Sequence, residues 1–239
     1  KLPEDRSFLQ GAALKGGQTA LEVYSWLDDK LDVLPLGYGA NAEKVILDSL
    51  KAHPEWSDQI VSFLWALDVT DIFRIQVIRN DKGLETVGIS HCFVNAKGTE
   101  AYGQTFMNES LSLRRLILIA VSFFEAFSKE KIIVIDDFGQ LLHPYVLTHI
   151  VEIFHANDME SQLIVVDCNP ALLQKDLMRK DSIWFAEKGE ESSTEFVSLS
   201  DFRGIKAKQS IYDGYLQGIF GALPIESDFC FQNKVKENN

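Results

Sequence analysis

Apolar positions recur with a helical period through the first third of the chain. Within residues 18–34 they return every three or four positions, which predicts an amphipathic helix. Similar stripes predict a second helix within residues 39–54 and a third within residues 57–67. We therefore expect this region to form three packed helices.

The period then changes to two. Residues 72–79 and 86–94 are rich in β-forming side chains, and the segment 80–83 between them reads Asn-Asp-Lys-Gly. Asn, Asp and Gly suit the positive φ angles of a hairpin turn. A third strand is predicted at residues 102–106, so the pattern indicates an antiparallel meander.

From residue 110 onward, helical and strand patterns alternate. The pattern predicts helices at residues 110–128 and 145–156 and strands at residues 131–135 and 162–166. Both strands are apolar throughout, which is typical of a parallel sheet covered on both faces. The predicted fold class is α/β: a parallel sheet flanked by helices, preceded by a helical region and a β-meander arm. A hairpin at residues 182–199 is expected to close the fold.

Composition excludes several function classes. With 46% apolar residues, the 239-residue chain can bury an ordinary core. Its 35 acidic residues against 23 Lys and Arg give a net charge of -12, which opposes binding to bare nucleic-acid phosphate. Three widely spaced cysteines fit a reducing compartment, so we expect a cytoplasmic location. No stretch approaches the roughly 20 apolar residues of a spanning helix, so no membrane partner is expected.

Two acids directly follow the strand at residues 131–135. Asp136 and Asp137 are expected at the carboxyl edge of the parallel sheet, where α/β proteins bind ligands. There the first acid can hold a hydrated magnesium ion, and the second can orient or deprotonate a water that attacks a phosphate. The segment has the form of a Walker B element. A strand that ends in Asp before a turn is also common in proteins without such a site, so a purely structural role stays open.

Other segments accompany the acid pair in a fixed order. They are residues 109–115 (Glu-Ser-Leu-Ser-Leu-Arg-Arg), 140–144 (Gln-Leu-Leu-His-Pro), 166–169 (Val-Asp-Cys-Asn) and 214–224 (Gly-Tyr-Leu-Gln-Gly-Ile-Phe-Gly-Ala-Leu-Pro). In this order the chain resembles the carboxyl-terminal half of an ABC-type, AAA-family ATPase head of the abortive-infection and phage-defence group. Those proteins are relatives of the overcoming-lysogenization-defect (OLD) ATPases and, more distantly, of SMC heads. The family pattern has a signature E-S-x-G-T-R-R, then D-E after the strand, S-L-H-P, T-H-D and a closing G-Y-L-Q-G-x-Y-G-A-x-P.

The resemblance implies an activity and a set of site residues. Such heads bind ATP and Mg²⁺ between two copies, as a homodimer or higher oligomer, and nucleotide state controls an effector, often a nuclease. The resemblance implies that Asp136 holds magnesium, that Asp137 acts on the attacking water, and that Cys168 stands at the switch-histidine position. The nucleotide-binding residues that it implies are Glu109, Ser110, Leu111, Ser112 and His143.

The chain departs from the family pattern at several of these positions. Asp137 stands in place of glutamate, and a displacement of about 1 Å at a reacting water can cost ~100-fold in rate. Ser112 and Leu113 replace the family glycine and threonine, and Leu141 replaces a serine. Cys168 cannot make the hydrogen bond of a histidine, and it also fits a small buried position at the strand end. We therefore expect weak hydrolysis.

No G-x-x-x-x-G-K-[ST] phosphate-binding motif occurs in the sequence. In the resembled family this Walker A motif lies near the amino terminus, so we expect a missing amino-terminal half or a partner chain to supply it. The expected divisions are the helical and meander region at 1–107, the ATPase-like lobe at 108–225 and a polar tail at 226–239. A non-catalytic dimerisation scaffold or sensor that holds an effector is the alternative. A transporter cassette would need a Q-loop and a coupling helix, for which the sequence offers no candidate.

Overall fold

The chain forms two compact units, residues 1–169 and residues 170–239. The computed structural model describes residues 17–34, 40–157, 160–174, 176–189, 193–203 and 210–224. The predicted polar tail at 226–239 lies outside these residues. Each unit has an apolar core of its own.

Helices open the described part of the first unit, as the apolar period predicted. α1 spans Gln18–Lys30, α2 spans Ala40–Ala52 and α3 spans Trp56–Ala66. α2 and α3 bury most of the apolar residues that were predicted to share a face. None of the residues of α1 is buried.

The prediction that the first helix continues to residue 34 is wrong. α1 ends at Lys30, and Leu31–Val33 form a short strand, β1. β1 pairs in parallel with Ile132–Ile135, and the Leu34 amide extends the ladder by donating to the Val134 carbonyl at 3.0 Å. Pairing with a distant strand outweighs the helical period here, because helix propensity over a few residues is a weak preference and each backbone group needs a partner.

The meander is confirmed. β2 spans Ile72–Arg79, β3 spans Glu85–Asn95 and β4 spans Gly98–Thr105, all antiparallel to their neighbours. The β2–β3 turn is closed by the Asn80 side chain, whose oxygen accepts hydrogen bonds from the Lys82 and Leu84 amides at 3.0 Å each. Gly83 supplies the positive φ, 74°, that the turn requires.

The rest of the parallel sheet follows the meander in the chain and confirms the α/β class. The remaining elements of this unit are α4 (Leu111–Lys129), β5 (Ile132–Ile135), α5 (Pro144–Ala156) and β6 (Gln162–Val165). All three strands of the sheet are parallel, in the order β1-β5-β6. α4 is buried along most of its length and contacts α2, α3 and β5. None of the helices in the described ranges is long and apolar enough to cross a membrane.

One face of the parallel sheet is more exposed than the sequence predicted. On one face of β5, Ile133 and Ile135 are fully buried. On the other face, the register aligns Val33, Val134 and Ile164 across the three strands. Val33 is 58% exposed and Ile164 is 48% exposed. Within the described residues this face is therefore only partly covered, and the outer edge of β6 pairs with no strand.

The second unit is built around an antiparallel hairpin. β7 spans Trp184–Lys188, β8 spans Thr194–Ser198 and α6 spans Ile211–Leu216. Phe220 of the segment 214–224 is buried, and its ring stacks on Phe185 with centroids 5.3 Å apart. Gly221 has φ of 67°, and a Cβ there would lie 2.7 Å from the Glu187 carboxylate. The segment 214–224 is therefore a packing element of the second unit.

Candidate functional site

The candidate site lies in the first unit, where β5 and β6 end. Residues 136–143, which we call the acidic loop, follow β5, and residues 166–169 follow β6. Backbone pairing continues past the strands, because the Val166 amide donates to the Ile135 carbonyl at 3.0 Å and the Phe138 amide donates to the Val166 carbonyl at 3.2 Å. Both segments therefore share the carboxyl edge of the parallel sheet, the edge at which α/β proteins bind ligands.

Asp136 and Asp137 are both exposed at this edge. The Asp136 carboxylate accepts a hydrogen bond from the Asp137 amide at 3.0 Å. Asp137 has φ of 46°, a left-handed conformation that Asp adopts more readily than most residues. In the described part of the chain no three His, Cys, Asp or Glu side chains are grouped to hold a metal ion. Magnesium at Asp136 would therefore take its other ligands from phosphate or water, as Mg²⁺ commonly does.

A buried arginine holds the backbone of the acid pair. Arg115 of α4 is 2% exposed, and its Nη2 donates to the carbonyl oxygens of Asp136 at 3.1 Å and Asp137 at 2.9 Å. Hydrogen bonds from a charged guanidinium are stronger than those between neutral groups. The contact fixes the start of the acidic loop to α4. Sequence reasoning missed this role, because hydrogen bonds to backbone carbonyls leave no residue pattern.

Ser112 joins the signature segment to the middle of the acidic loop. Its Oγ donates to the Leu141 carbonyl at 2.7 Å. Leu141 is 44% exposed and has φ of 66°, a left-handed conformation that costs a residue such as leucine about 1–2 kcal/mol. Strained residues persist only where their surroundings hold them, and they cluster at functional sites. The Ser112 hydroxyl is one of the groups that hold this one.

Asp167 ties the two loops together. Its Oδ2 accepts a hydrogen bond from the Gly139 amide, and its Oδ1 accepts one from the Asn169 amide at 2.6 Å. A Cβ at Gly139 would come within 2.9 Å of Leu147 Cδ2 and 3.0 Å of Asp167 Oδ2, so glycine permits this close approach. Sequence reasoning did not single out Gly139 or Asp167. The available signal was their position, since each follows a predicted parallel strand.

Two predicted site residues cap helices. Ser110 is the N-cap of α4, and its Oγ accepts a hydrogen bond from the Leu113 amide at 3.2 Å. His143 is the N-cap of α5, and its Nδ1 accepts one from the Tyr145 amide at 3.2 Å. Both side chains thus satisfy helix amides that would otherwise lack partners. The caps fix where α4 and α5 begin next to the acidic loop.

Leu111 and Cys168 are both exposed. Leu111 is the first residue of α4 and is 47% exposed. Cys168 is a free, exposed cysteine between Asp167 and Asn169. It therefore does not fill a buried position at the end of the strand, as one interpretation of the sequence had it. Its backbone lies next to the acidic loop, because Asp167 binds the Gly139 amide.

Glu109 is buried against the meander. Its carboxylate accepts a hydrogen bond from His91 Nε2 at 2.8 Å, while His91 Nδ1 bonds Asp71 Oδ2 at 2.7 Å. The ring of Tyr102 stacks on His91 with centroids 4.8 Å apart and planes at 4°. The predicted nucleotide-binding residue Glu109 is thus engaged with the meander, while the acidic loop is held by Ser112 and Arg115.

The pKa of His91 is shifted by this environment. Burial by itself lowers the pKa, but the hydrogen bonds and charges of Asp71 and Glu109 outweigh burial and raise it above the ordinary value of 6.5. The β2–β3 register pairs Ile72 with His91, and Asp71 therefore lies beside the His91 ring. The sequence alone pointed to neither Asp71 nor Glu109 as a partner of His91.

Comparison with known proteins gives a partial likeness to solved structures. No protein-family model matches the chain, and no curated protein matches it either. A solved structure from work on ATP-driven dimerization and DNA-stimulated activation of SMC ATPases is 13% identical to this chain, with a TM-score of 0.45. The match covers 62% of this chain and 86% of that chain. A likeness at this identity and TM-score assigns neither a family nor an activity. The fold and the site themselves define an α/β protein with an acidic loop at the carboxyl edge of a parallel sheet.

Proposed function

We propose that the chain is part of an ABC-type ATPase head that binds ATP and Mg²⁺ at the acidic loop. The observation that carries this proposal is the set of hydrogen bonds on that loop. Ser112 and Arg115 of α4 reach it from one side, and Asp167 reaches it from the end of β6. The segments that resemble the signature, the Walker B element and the switch strand are therefore in direct contact, although they lie up to 60 residues apart.

In this proposal, Asp136 holds magnesium and Asp137 orients the attacking water. Both carboxylates are exposed, and the carbonyl oxygens of both residues are bound by Arg115, so their backbone is fixed before any ligand arrives. A site that is already fixed needs little reorganisation free energy when charge develops on a phosphate. Aspartate in place of glutamate at residue 137 withdraws the carboxylate from the water, so we propose that hydrolysis is slow.

Nucleotide binding in this proposal needs a further polypeptide segment. A triphosphate is strongly anionic, and the chain carries a net charge of -12. Within the described ranges, the sheet face at Val33 and Ile164 is partly covered and the outer edge of β6 pairs with no strand, so apolar surface and backbone groups are available there for such a segment to pack on. We propose that a glycine-rich phosphate-binding segment, from an amino-terminal half or a partner chain, completes the site there.

The wider role follows from the sequence resemblance. We propose that two heads form a homodimer around the nucleotide and that nucleotide state controls an effector, such as a nuclease, in cytoplasmic phage defence. The segments 109–115 and 214–224 support this proposal through their likeness to the abortive-infection group.

A non-catalytic dimerisation scaffold is the second candidate. The observation that favours it is the engagement of the signature side chains. Ser110 caps α4, Ser112 binds the Leu141 carbonyl and Glu109 binds His91, so each already has a partner within the chain. A scaffold of this kind would keep the head-to-head surface and hold its effector without turnover.

ATP binding and turnover by Asp137 variants distinguish the two functions. The measurement uses this chain and the longest natural polypeptide that contains it. Asp137→Glu is expected to raise turnover, by up to about 100-fold if the missing methylene misplaces the water by about 1 Å. Asp137→Asn is expected to abolish turnover while leaving binding. Asp81→Asn, an exposed aspartate in the β2–β3 turn, is the matched control and should change neither.

Each outcome decides between the candidates. Equal turnover in the natural protein and in Asp137→Asn would contradict the assigned role of Asp137. Absence of ATP binding in the longest polypeptide would overturn the ATP-binding proposal and leave the scaffold.

A further inference from the structure

His91 lies between two groups that can only accept hydrogen bonds when ionised. Its Nδ1 is 2.7 Å from an Asp71 oxygen, and its Nε2 is 2.8 Å from a Glu109 oxygen. An ionised carboxylate has no hydrogen to donate, and a neutral imidazole carries hydrogen on one nitrogen only. Both contacts can therefore form together only if both ring nitrogens are protonated. With both carboxyl groups ionised, the geometry requires a positively charged His91 between them.

We propose that charged His91 is a positioning residue that clamps Glu109 to the meander and thereby fixes the start of the signature helix α4. The Asp71–His91–Glu109 cluster, which we call the clamp, joins the residue before β2, the middle of β3 and the residue before the N-cap of α4. The clamp is defined by contacts within this chain, so it can be tested independently of the ATP-binding proposal. Only the proposed effect of the clamp on nucleotide binding rests on the proposed function.

Burial makes the clamp asymmetric. The side chains of His91 and Glu109 are 5% and 4% exposed, whereas that of Asp71 is 53% exposed. A buried carboxylate without a charged partner is costly, so Glu109 depends on His91. Asp71 remains in contact with water and adds a second negative charge. Tyr102 from β4 lies flat against the imidazole, and an aromatic face attracts a cation.

The clamp reaches α4 through the backbone of Glu109. Arg114 of α4 donates from Nε to the Glu109 carbonyl at 3.0 Å and from Nη2 to the Met107 carbonyl. Ser110, the next residue, caps the helix. Glu109 is thus held at its side chain by the meander and at its carbonyl by α4. A change in the His91 contact acts directly on the first turn of the helix whose Ser112 and Arg115 hold the acidic loop.

The clamp has a defined dependence on pH. The groups that face His91 are Asp71 and Glu109, which favour its charged form, and Tyr102, which stacks on it; Arg114 faces the Glu109 backbone. Because these contacts raise the pKa of His91, the clamp is complete below the ordinary histidine pKa of 6.5 and is lost as pH rises through the raised value. Above that value the neutral ring can bond only one of the two carboxylates.

Two readouts on the whole chain test the clamp. The first is the NMR titration of the His91 ring, from about pH 6 to about pH 9. The second is hydrogen exchange of peptides covering residues 106–113, corrected for intrinsic rates, over the same range. Residues 184–198 contain no histidine and serve as the internal control. We expect protection of residues 106–113 to fall about tenfold as the His91 ring loses its proton, since one charged hydrogen bond is lost.

Asp71→Asn is the principal variant, because Asp71 is half exposed and its replacement is compatible with folding. It should lower the pH at which His91 titrates and move the exchange transition by the same amount. His91→Gln, which can still donate to Glu109, should give protection that no longer changes with pH. If His91 had a structural role that did not need a charged ring, the exchange transition of Asp71→Asn would occur at the same pH as that of the natural protein.

A His91 ring that titrates at or below the ordinary histidine pKa of 6.5 would overturn the clamp, as would protection of residues 106–113 that does not follow the ring titration. If the clamp is confirmed, ATP binding by the longest natural polypeptide should weaken over the same pH range in the natural protein but not in His91→Gln. If hydrogen exchange of residues 106–113 changes with pH but ATP affinity does not, the clamp is retained and its proposed effect on ATP binding is rejected.

Discussion

Replacing Asp167 is expected to loosen the acidic loop. The Asp167 carboxylate accepts hydrogen bonds from the Gly139 and Asn169 amides. A hydrogen bond to a charged group contributes about 1.5–3 kcal/mol, so the pair contributes at most about 3–6 kcal/mol. Asp167 is only half-buried, and water can reach the freed amides, so we expect a loss of about 2–3 kcal/mol in Asp167→Ala. Asp167→Asn should lose less, because its carbonyl oxygen can still accept from one of the two amides while its NH₂ group would face the other.

Hydrogen exchange of peptides covering residues 136–143 measures the loss of stability directly in the acidic loop. A loss of about 2–3 kcal/mol corresponds to roughly 30- to 150-fold faster exchange of amides that open locally. Asp81→Asn, which changes the same charge in the exposed β2–β3 turn, is the control. Peptides from residues 184–198 in the second unit should be unaffected.

A change of less than about threefold in both Asp167 variants would refute the reasoning, because it would mean that the two amides open independently of this carboxylate. Faster exchange throughout the first unit, with no excess at residues 136–143, would also contradict a local tie between the loops.

Two further predictions concern the same loop. Gly139→Ala would press a methyl group against the Asp167 carboxylate and should destabilise the first unit by about 1–3 kcal/mol in urea unfolding; Gly103→Ala, where the nearest atom is 3.8 Å away, should have little effect. Ser112→Ala removes the hydrogen bond to the Leu141 carbonyl and should speed exchange of the acidic loop by about fivefold, or about 1 kcal/mol. Unchanged exchange in Ser112→Ala would show that other contacts hold the left-handed Leu141.

Local patterns predicted most of the fold. The meander, the long helix α4 and the strands β5 and β6 each have a clear apolar period or a continuous apolar run, and burial against neighbours produces such periods. β1 could not be predicted in this way. Its three residues continue the stripe of α1, and they become a strand because the edge of β5, about 100 residues away, is available for pairing.

The candidate site was predictable only in part. The acid pair stands out because two carboxylates follow an apolar strand, a pattern that is visible in the sequence. Arg115 and Asp167 do not stand out, because their partners are backbone carbonyls and amides, which every residue has. The His91 cluster draws on three separate elements, and His91 alone in a strand predicts nothing.

The central claim is that the acidic loop binds a metal-bound nucleotide, and paramagnetic NMR with Mn²⁺-ATP tests it most directly. Mn²⁺ replaces Mg²⁺ at oxygen ligands and broadens nearby amide signals, so weak binding to this chain is detectable at ATP concentrations on the order of millimolar. The account predicts broadening at Asp137, Gly139 and Asn169 that exceeds the effect of Mn²⁺ without ATP and disappears in Asp136→Asn. Broadening that is the same in Asp136→Asn, or that is spread evenly over the exposed acids of the chain, would contradict the account.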